Sequence, residues 1–164
     1  YDISACLVGS EMCIRDSAHS YGCLLSSLLA NEYENVESMI ALSGPWAGSR
    51  AAKWLHMVFR ESGLFQHTKP GSNLLDAISK LKLDFPISNI VSTGTSSSAN
   101  ALAGLGSTPN DGLLTLETQR AIPEGFTNCE TVEKEVSHNE LLMSMEIVEF
   151  IRDKIFNETE HETE

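Results

Sequence analysis

Three residues of this sequence, Ser20, Asp111 and His138, have the side-chain types that together perform acyl transfer. A serine hydroxyl is a poor nucleophile until a neutral imidazole accepts its proton. A carboxylate must then hold that imidazole in the right tautomer and stabilise the imidazolium. Each of the three sits where an apolar, strand-like run gives way to a loop or helix. Ser20 lies in Ala18-His19-Ser20-Tyr21-Gly22, followed at once by Cys23, Leu24, Leu25, Leu28 and Leu29. That order suits a sharp strand-to-helix turn that lifts a hydroxyl above a sheet edge, with small residues at 18 and 22 to make room for it. The pentapeptide alone is common by chance, and a plain serine at a helix entry is its bland reading. Asp111 stands in Pro109-Asn110-Asp111-Gly112, which taken alone is a turn former. His138, in Ser137-His138-Asn139, ends a loosely alternating run from Thr127 to Val136. In a parallel α/β sheet all such strand ends lie along one edge, so residues far apart in sequence converge there. The conjunction carries more than any member.

The elements that must position these groups are legible as periodic segments. From Tyr21 to about Tyr33, apolar residues at 24, 25, 28 and 29 recur at helical spacing. Residues 38–42 read as a buried parallel strand running into Ser43-Gly44-Pro45, and residues 89–95 as another, running into a Ser/Ala/Gly-rich loop over 96–106. Residues 50–65 carry an apolar-rich helix pattern. It reads as a core helix or, more sharply, as a cap whose apolar face meets a greasy substrate. Ser72 is placed to cap a helix using Leu74, Leu75, Ile78 and Leu81, closed by Pro86. Leu113 to Ala121 is a short strand or helix, and Thr127 to Val136 a last strand. Leu141, Leu142, Met145, Val148, Ile151 and Ile155 mark an amphipathic helix over about 140–156. No internal repeat is present.

At 164 residues, with 41% apolar and 21% charged residues, the chain has the size and balance of one globular domain or a piece of one. Its formal charge of −12 argues against nucleic acid or an anionic membrane as partner, because the field repels both. Residues 157–164 have no apolar face and read as an acidic, solvated tail. Asn157-Glu158-Thr159 within it matches the frequent glycosylation triplet. Four cysteines, at 6, 13, 23 and 129, show neither C-x-x-C spacing nor scaffold density, so a zinc site or stapled fold is not expected and a reducing compartment is the default. No apolar run approaches the roughly 18 residues of a membrane span. No clustered ligand set suggests a metal, and no Gly-rich loop suggests a nucleotide, so no cofactor is expected.

Residues 7–17, Leu7 to Ser17, look foreign to the domain. From Leu7 to Asp16 they match, residue for residue, one reading frame of a transposase-type sequencing adapter. On that reading residues 1–17 are a foreign N-terminal segment, and Cys6 and Cys13 carry no functional weight. The domain proper runs from residue 18 to about 156, with 45–87 as a possible cap or lid insertion.

As an ordered set, these motifs resemble the α/β-hydrolase superfamily and, within it, the lipase and esterase group. Ala18-His19-Ser20-Tyr21-Gly22 looks like the group's Gly/Ala-His-Ser-x-Gly elbow. Pro45-Trp46-Ala47-Gly48-Ser49 is similar to a Thr-Pro-His-x-Gly-Ser loop of lipases, with Trp46 where His is usual. Asn110-Asp111-Gly112 resembles the loop bearing the acid, and Ser137-His138 with Leu141-Leu142 the segment bearing the histidine. The resemblance implies the C-terminal part of an α/β-hydrolase fold, a mostly parallel sheet flanked by helices. It also implies a serine hydrolase acting on small-molecule or lipid esters, with Ser20 as nucleophile, His138 as base and then acid, and Asp111 orienting it. The Tyr21 backbone N–H supplies one oxyanion donor. Trp46, Trp54 and Phe59 are candidate substrate contacts, and His19 is expected to bond locally. Asp76 and Asp84 are backup acids. The second oxyanion donor of the family comes from a loop, often marked His-Gly, that no residue before Ser20 matches. The chain is therefore expected to be a poorly stable, essentially inactive fragment with an exposed sheet edge. An acyltransferase or thioesterase using the same three residues, or a non-catalytic interaction module, is the alternative.

Overall fold

The computed structural model describes residues 13–49, 63–94 and 107–156. Among them four strands form one sheet: β1 (Ile14–His19), β2 (Val36–Leu42), β3 (Ile87–Ser92) and β4 (Cys129–Lys134). All neighbours pair in parallel, in the order β1-β2-β3-β4. The helices are α1 (Tyr21–Glu32), α2 (Gly63–Thr68), α3 (Asn73–Ile78), α4 (Leu116–Arg120) and α5 (Met145–Phe156), with a 3₁₀ turn at Glu140–Leu142. This is the α/β class expected, a parallel sheet flanked by helices. The segments at 50–62, with Trp54 and Phe59, at 95–106 and at 157–164 lie outside the described residues, as do residues 1–12.

The reason for two covered faces is visible in β2. Side chains alternate along a strand, so Met39 and Ala41 point one way and Ile40 and Leu42 the other, and all four are buried. Met39 and Ala41 join Cys23 and Leu24 of α1, Leu75 and Ile78 of α3, Leu83, Ile87 and Phe126 in one core. Ile40 and Leu42 join Ile90, Leu141 and Ile147 in the other. β3, paired on both sides, is buried at every position, and its polar residues Ser88, Asn89 and Ser92 are hydrogen-bonded there, to Glu130, to Trp46 and Gln119, and to the Val136 carbonyl. The described part of the 45–87 stretch packs into the first of these cores: Trp46, Leu75, Ile78 and Leu83 are core residues. The Ser72 cap forms as expected, its Oγ accepting from the Leu75 N–H at 3.3 Å.

Two helix faces differ from the expected ones. On α1 the buried side is Cys23, Leu24, Ser26, Ser27 and Ala30, whereas Leu25 and Leu29 are exposed. The sheet-facing stripe includes serines because Ser27 Oγ donates to its own helix, to the Cys23 carbonyl at 2.8 Å, and so needs no water. The helix expected over 140–156 is broken. Met143 N and Ser144 N both donate to the Glu140 carbonyl, and the Ser144 carbonyl then accepts from Ile147 and Val148 to start α5. The break rotates the apolar face, so that Leu141 and Ile147 are buried while Leu142, Met145 and Val148 are exposed.

The adapter-like residues Ile14–Ser17 form most of β1, an edge of the described sheet. Parallel pairing uses backbone groups, which any sequence supplies. Side chains add to it: Arg15 donates from Nη1 to the Ile155 carbonyl in the last turn of α5, at 3.0 Å, and pairs with Glu37 at 2.9 Å. A cation at a helix C-terminus is favourably placed against the helix dipole.

Candidate active site

Ser20 joins β1 to α1 with φ 55° and ψ −125°, a positive φ that a non-glycine residue adopts only under constraint. Such a residue costs about 1–3 kcal/mol and persists where its surroundings over-determine it. Here the Ser20 N–H donates to the Leu42 carbonyl at 2.8 Å, tying the turn to the end of β2, and the Ser20 carbonyl accepts from the Cys23 N–H at 3.0 Å. The Cys23 thiol underneath has its one S–H within reach of both the Ala18 and Leu42 carbonyls, at 3.2 and 3.6 Å. Burial pushes that thiol up to about 12, so it stays protonated and acts as a donor. Gly22 is less demanded than the sequence suggests: a Cβ there would meet only the Ala18 Cβ, at an ordinary 3.8 Å.

Asp111 and His138 meet Ser20 at the C-terminal ends of the strands. His138 Nδ1 lies 2.7 Å from Asp111 Oδ2, and His138 Nε2 lies 3.0 Å from Ser20 Oγ. A carboxylate only accepts, so Nδ1 carries the proton given to Asp111 and Nε2 is left to accept from the serine hydroxyl. The His138 and Asp111 side chains are 5% and 0% exposed, and Ser20 is half-buried. The His138 backbone N–H also donates to the Asp111 carbonyl at 2.9 Å, so the two loops are fixed together by main chain as well as side chain.

The loop bearing Asp111 is built from its own polar residues. Asp111 Oδ1 accepts from the Leu113 and Leu114 N–H groups at 3.0 and 2.7 Å, and Asn110 Oδ1 from Gly112 N–H at 2.7 Å. Gly112 has φ 99°, a conformation that favours glycine. Thus the Asn-Asp-Gly turn and the acid are the same structure. The backup acids are elsewhere: Asp76 pairs with Lys80 on the exposed side of α3, and Asp84 is exposed.

His19, as expected, bonds locally. Its Nε2 lies 3.0 Å from the His138 carbonyl, and the two rings are 4.6 Å apart. Burial first, then the neighbouring His138, lower the His19 pKa, while its bond to the His138 carbonyl and the charge of Asp111 oppose them. Tyr21 is the first residue of α1, where a backbone N–H has no intrahelical partner.

Trp46 is a core residue and does not line a groove. It is 5% exposed, its Nε1 donates to Asn89 Oδ1 at 3.1 Å, and its ring meets the Phe126 ring edge-on at 5.6 Å. A Cβ on Gly44 would lie 2.5 Å from the indole, so that glycine makes the room for it. An aromatic after a strand end is expected to contact substrate, but here the indole N–H satisfies a buried amide and the ring packs inward. Sequence reasoning also missed Gln119 on α4, which is fully buried and donates from Nε2 to Asp111 Oδ2 at 3.1 Å. The one signal was position, eight residues beyond the acid in the next short element. A surface concavity of about 490 Å³ lined by Thr108, Pro109, Leu116, Glu117, Arg120 and Ala121 touches neither Ser20 nor His138. The hydrogen-bonded line rather than that concavity defines the site. Among the described residues no group of three or more His, Cys, Asp or Glu could hold a metal ion, and no helix is long and apolar enough to cross a membrane.

By sequence, no protein-family pattern and no curated protein matches the chain. Solved structures do. The mature form of a lipase from Bacillus licheniformis superposes with a TM-score of 0.58 at 15% identity, over 85% of this chain and 65% of that one. An esterase from Pyrococcus furiosus gives 0.54 at 16% identity, over 87% and 52%. A phospholipase from Legionella pneumophila gives 0.52 at 12% identity, over 70% and 30%. The chain thus spans between about a third and two thirds of these proteins. The four parallel strands and flanking helices among the described residues are part of the fold of these lipase and esterase structures, the α/β-hydrolase fold that the chain's motifs resemble.

Proposed function

We propose that the chain carries the catalytic residues of a serine hydrolase of carboxylic esters, of the lipase or esterase kind. The observation that supports this most is the hydrogen-bonded line from Ser20 Oγ through His138 to Asp111, with the serine held at positive φ at the head of a helix. In the reaction, Ser20 Oγ attacks the ester carbonyl carbon as its proton passes to His138 Nε2. The carbonyl π-electrons move onto oxygen, facing the Tyr21 N–H. Collapse of that oxyanion re-forms the carbonyl and breaks the bond to the leaving alkoxide, which departs as the alcohol with the proton from Nε2. Water then gives a proton to Nε2 and adds to the acyl-serine, and a second collapse returns the proton to Ser20 and frees the acid. Asp111 keeps the imidazole oriented and stabilises its cation throughout.

Among the described residues the elbow supplies one oxyanion donor, the Tyr21 N–H, and such a donor is worth roughly 100–1,000-fold in rate. The test is nucleophilicity at Ser20. A fluorophosphonate incubated with the chain should modify Ser20, located by peptide mass spectrometry, and Ser20→Ala should abolish the label. Hydrolysis of a short p-nitrophenyl ester should be equally dependent on Ser20. A folded chain that takes no label at Ser20 would overturn the reading and favour a non-catalytic module of the same fold.

A further inference from the structure

We propose that Gln119 is a positioning residue for the proposed site: its side-chain amide fixes Asp111, and through it the His138 ring. The inference rests on the reading of Ser20, His138 and Asp111 as a working set, and extends it to a residue with no contact to substrate.

The amide has one orientation. Gln119 Oε1 lies 2.8 Å from the Ser92 backbone N–H, which can only donate, and Gln119 Nε2 lies 3.2 Å from the Ser92 carbonyl, which can only accept. Ser43 Oγ adds a second donor to Oε1 at 3.0 Å. With one Nε2 proton given to Ser92, the other is aimed at Asp111 Oδ2 at 3.1 Å, beside the His138 Nδ1–H on the same oxygen. Asp111 is thus held by four N–H groups, two on each oxygen, and the carboxylate can neither rotate nor turn away from the imidazole.

The backbone of Gln119 is clamped as well. Its carbonyl accepts from Asn89 Nδ2 at 3.1 Å, and Asn89 Oδ1 accepts from Trp46 Nε1. The preceding Thr118 donates from Oγ1 to the Gly48 carbonyl at 2.6 Å and accepts from the Ala47 N–H at 3.2 Å. The five-residue α4 is therefore bolted between the ends of β2 and β3, and its buried face delivers one N–H to the acid.

The test is NMR on the full chain, reading the downfield His138 Nδ1–H resonance. Gln119→Glu keeps an acceptor for Ser92 N–H and sets a carboxyl in place of the donor to Asp111, so the Nδ1–H resonance should shift. Gln119→Met removes the donor at similar volume and should broaden or lose the Nδ1–H resonance. In the unmodified chain one Gln119 side-chain N–H should give a nuclear Overhauser contact to the His138 Nδ1–H, because both donate to Asp111 Oδ2, a measurement independent of whether a variant folds. Fluorophosphonate labelling in parallel should slow in Gln119→Met by roughly 10- to 100-fold in the maximal rate, with half-saturation unchanged, as for a bond to a charged group. An unchanged His138 Nδ1–H resonance in folded variants, or no contact between the Gln119 and His138 N–H protons in the unmodified chain, would overturn the proposal. Absence of labelling in the unmodified chain would overturn the nucleophile reading instead, and the NMR result would still decide Gln119.

Discussion

Asp111 is the residue on which most of the site's polar geometry closes, since its two oxygens face only N–H donors. Asp111→Asn cannot satisfy them. Whichever way the amide turns, its NH₂ confronts N–H groups, and the tautomer of His138 is no longer imposed. The expected result is a double loss: fluorophosphonate labelling falls by about 10⁴-fold, the scale known for such a change in a serine triad. Stability falls by about 1–3 kcal/mol for each buried donor left unmet, read as a lower melting temperature. His19 gives a pH prediction. Its pKa is lowered from 6.5 in the folded chain. Between that lowered value and about 6.5 the unfolded chain binds more protons than the folded one, so stability rises with pH in that window and is lost as pH falls through it. Melting temperatures followed from about pH 7.5 to 5.5 should decline less in His19→Asn than in the unmodified chain. Ser20 and His138 were legible in the sequence because each follows a strand-like run, and Asp111 because the Asn-Asp-Gly turn that carries it is local. Gln119 was not, because its partners Ser43 and Ser92 are 76 and 27 residues away and only the folded sheet brings them to it.

At the level of elements, the strands were more legible than the faces of the helices. β2 ends in the buried run Met39–Leu42 and β3 is buried throughout, so no choice of face is needed to find them. An apolar stripe on a helix, in contrast, is read relative to where the helix starts. The expected helix over 140–156 begins instead at Met145, after a 3₁₀ turn, and the stripe that meets the sheet runs through Ile147, Phe150, Ile151 and Ile155. The two readings separate in adjacent residues. Ile147→Ala, which empties a buried site between α5 and β2, should cost about 2–4 kcal/mol, whereas Val148→Ala on the exposed side should stay within about 0.5 kcal/mol. Urea unfolding of the two variants decides it, and equal effects would mean that α5 packs on the stripe that the sequence suggested. α1 poses the same question in its thiol. Cys23 is buried with its pKa at about 12, while Cys13 is exposed. Iodoacetamide on the native chain should therefore modify Cys13 and spare Cys23, until denaturant releases α1 from the sheet.

The whole molecule sets an apolar surface against a large net charge. Leu25 and Leu29 of α1 are 42% and 57% exposed and Ile14 on the neighbouring strand 37%, and β1 is an edge of the described sheet. A strand edge beside exposed leucines is a template for association of copies, through main-chain pairing and burial of the same side chains. The formal charge of −12 opposes it by repulsion between copies. Repulsion between exposed charges is screened within about 10 Å at 0.1 M salt and about 3 Å at 1 M, whereas apolar burial is not weakened by salt. The chain should accordingly be most dispersed at low ionic strength, with light scattering rising as sodium chloride is added. Leu29→Lys places a charge on the exposed side of α1 without touching the buried face, so it should lower the scattering at high salt and leave the melting temperature within a few degrees. Scattering that falls with salt, or that Leu29→Lys leaves unchanged, would locate the association elsewhere than on the surface that α1 and β1 share.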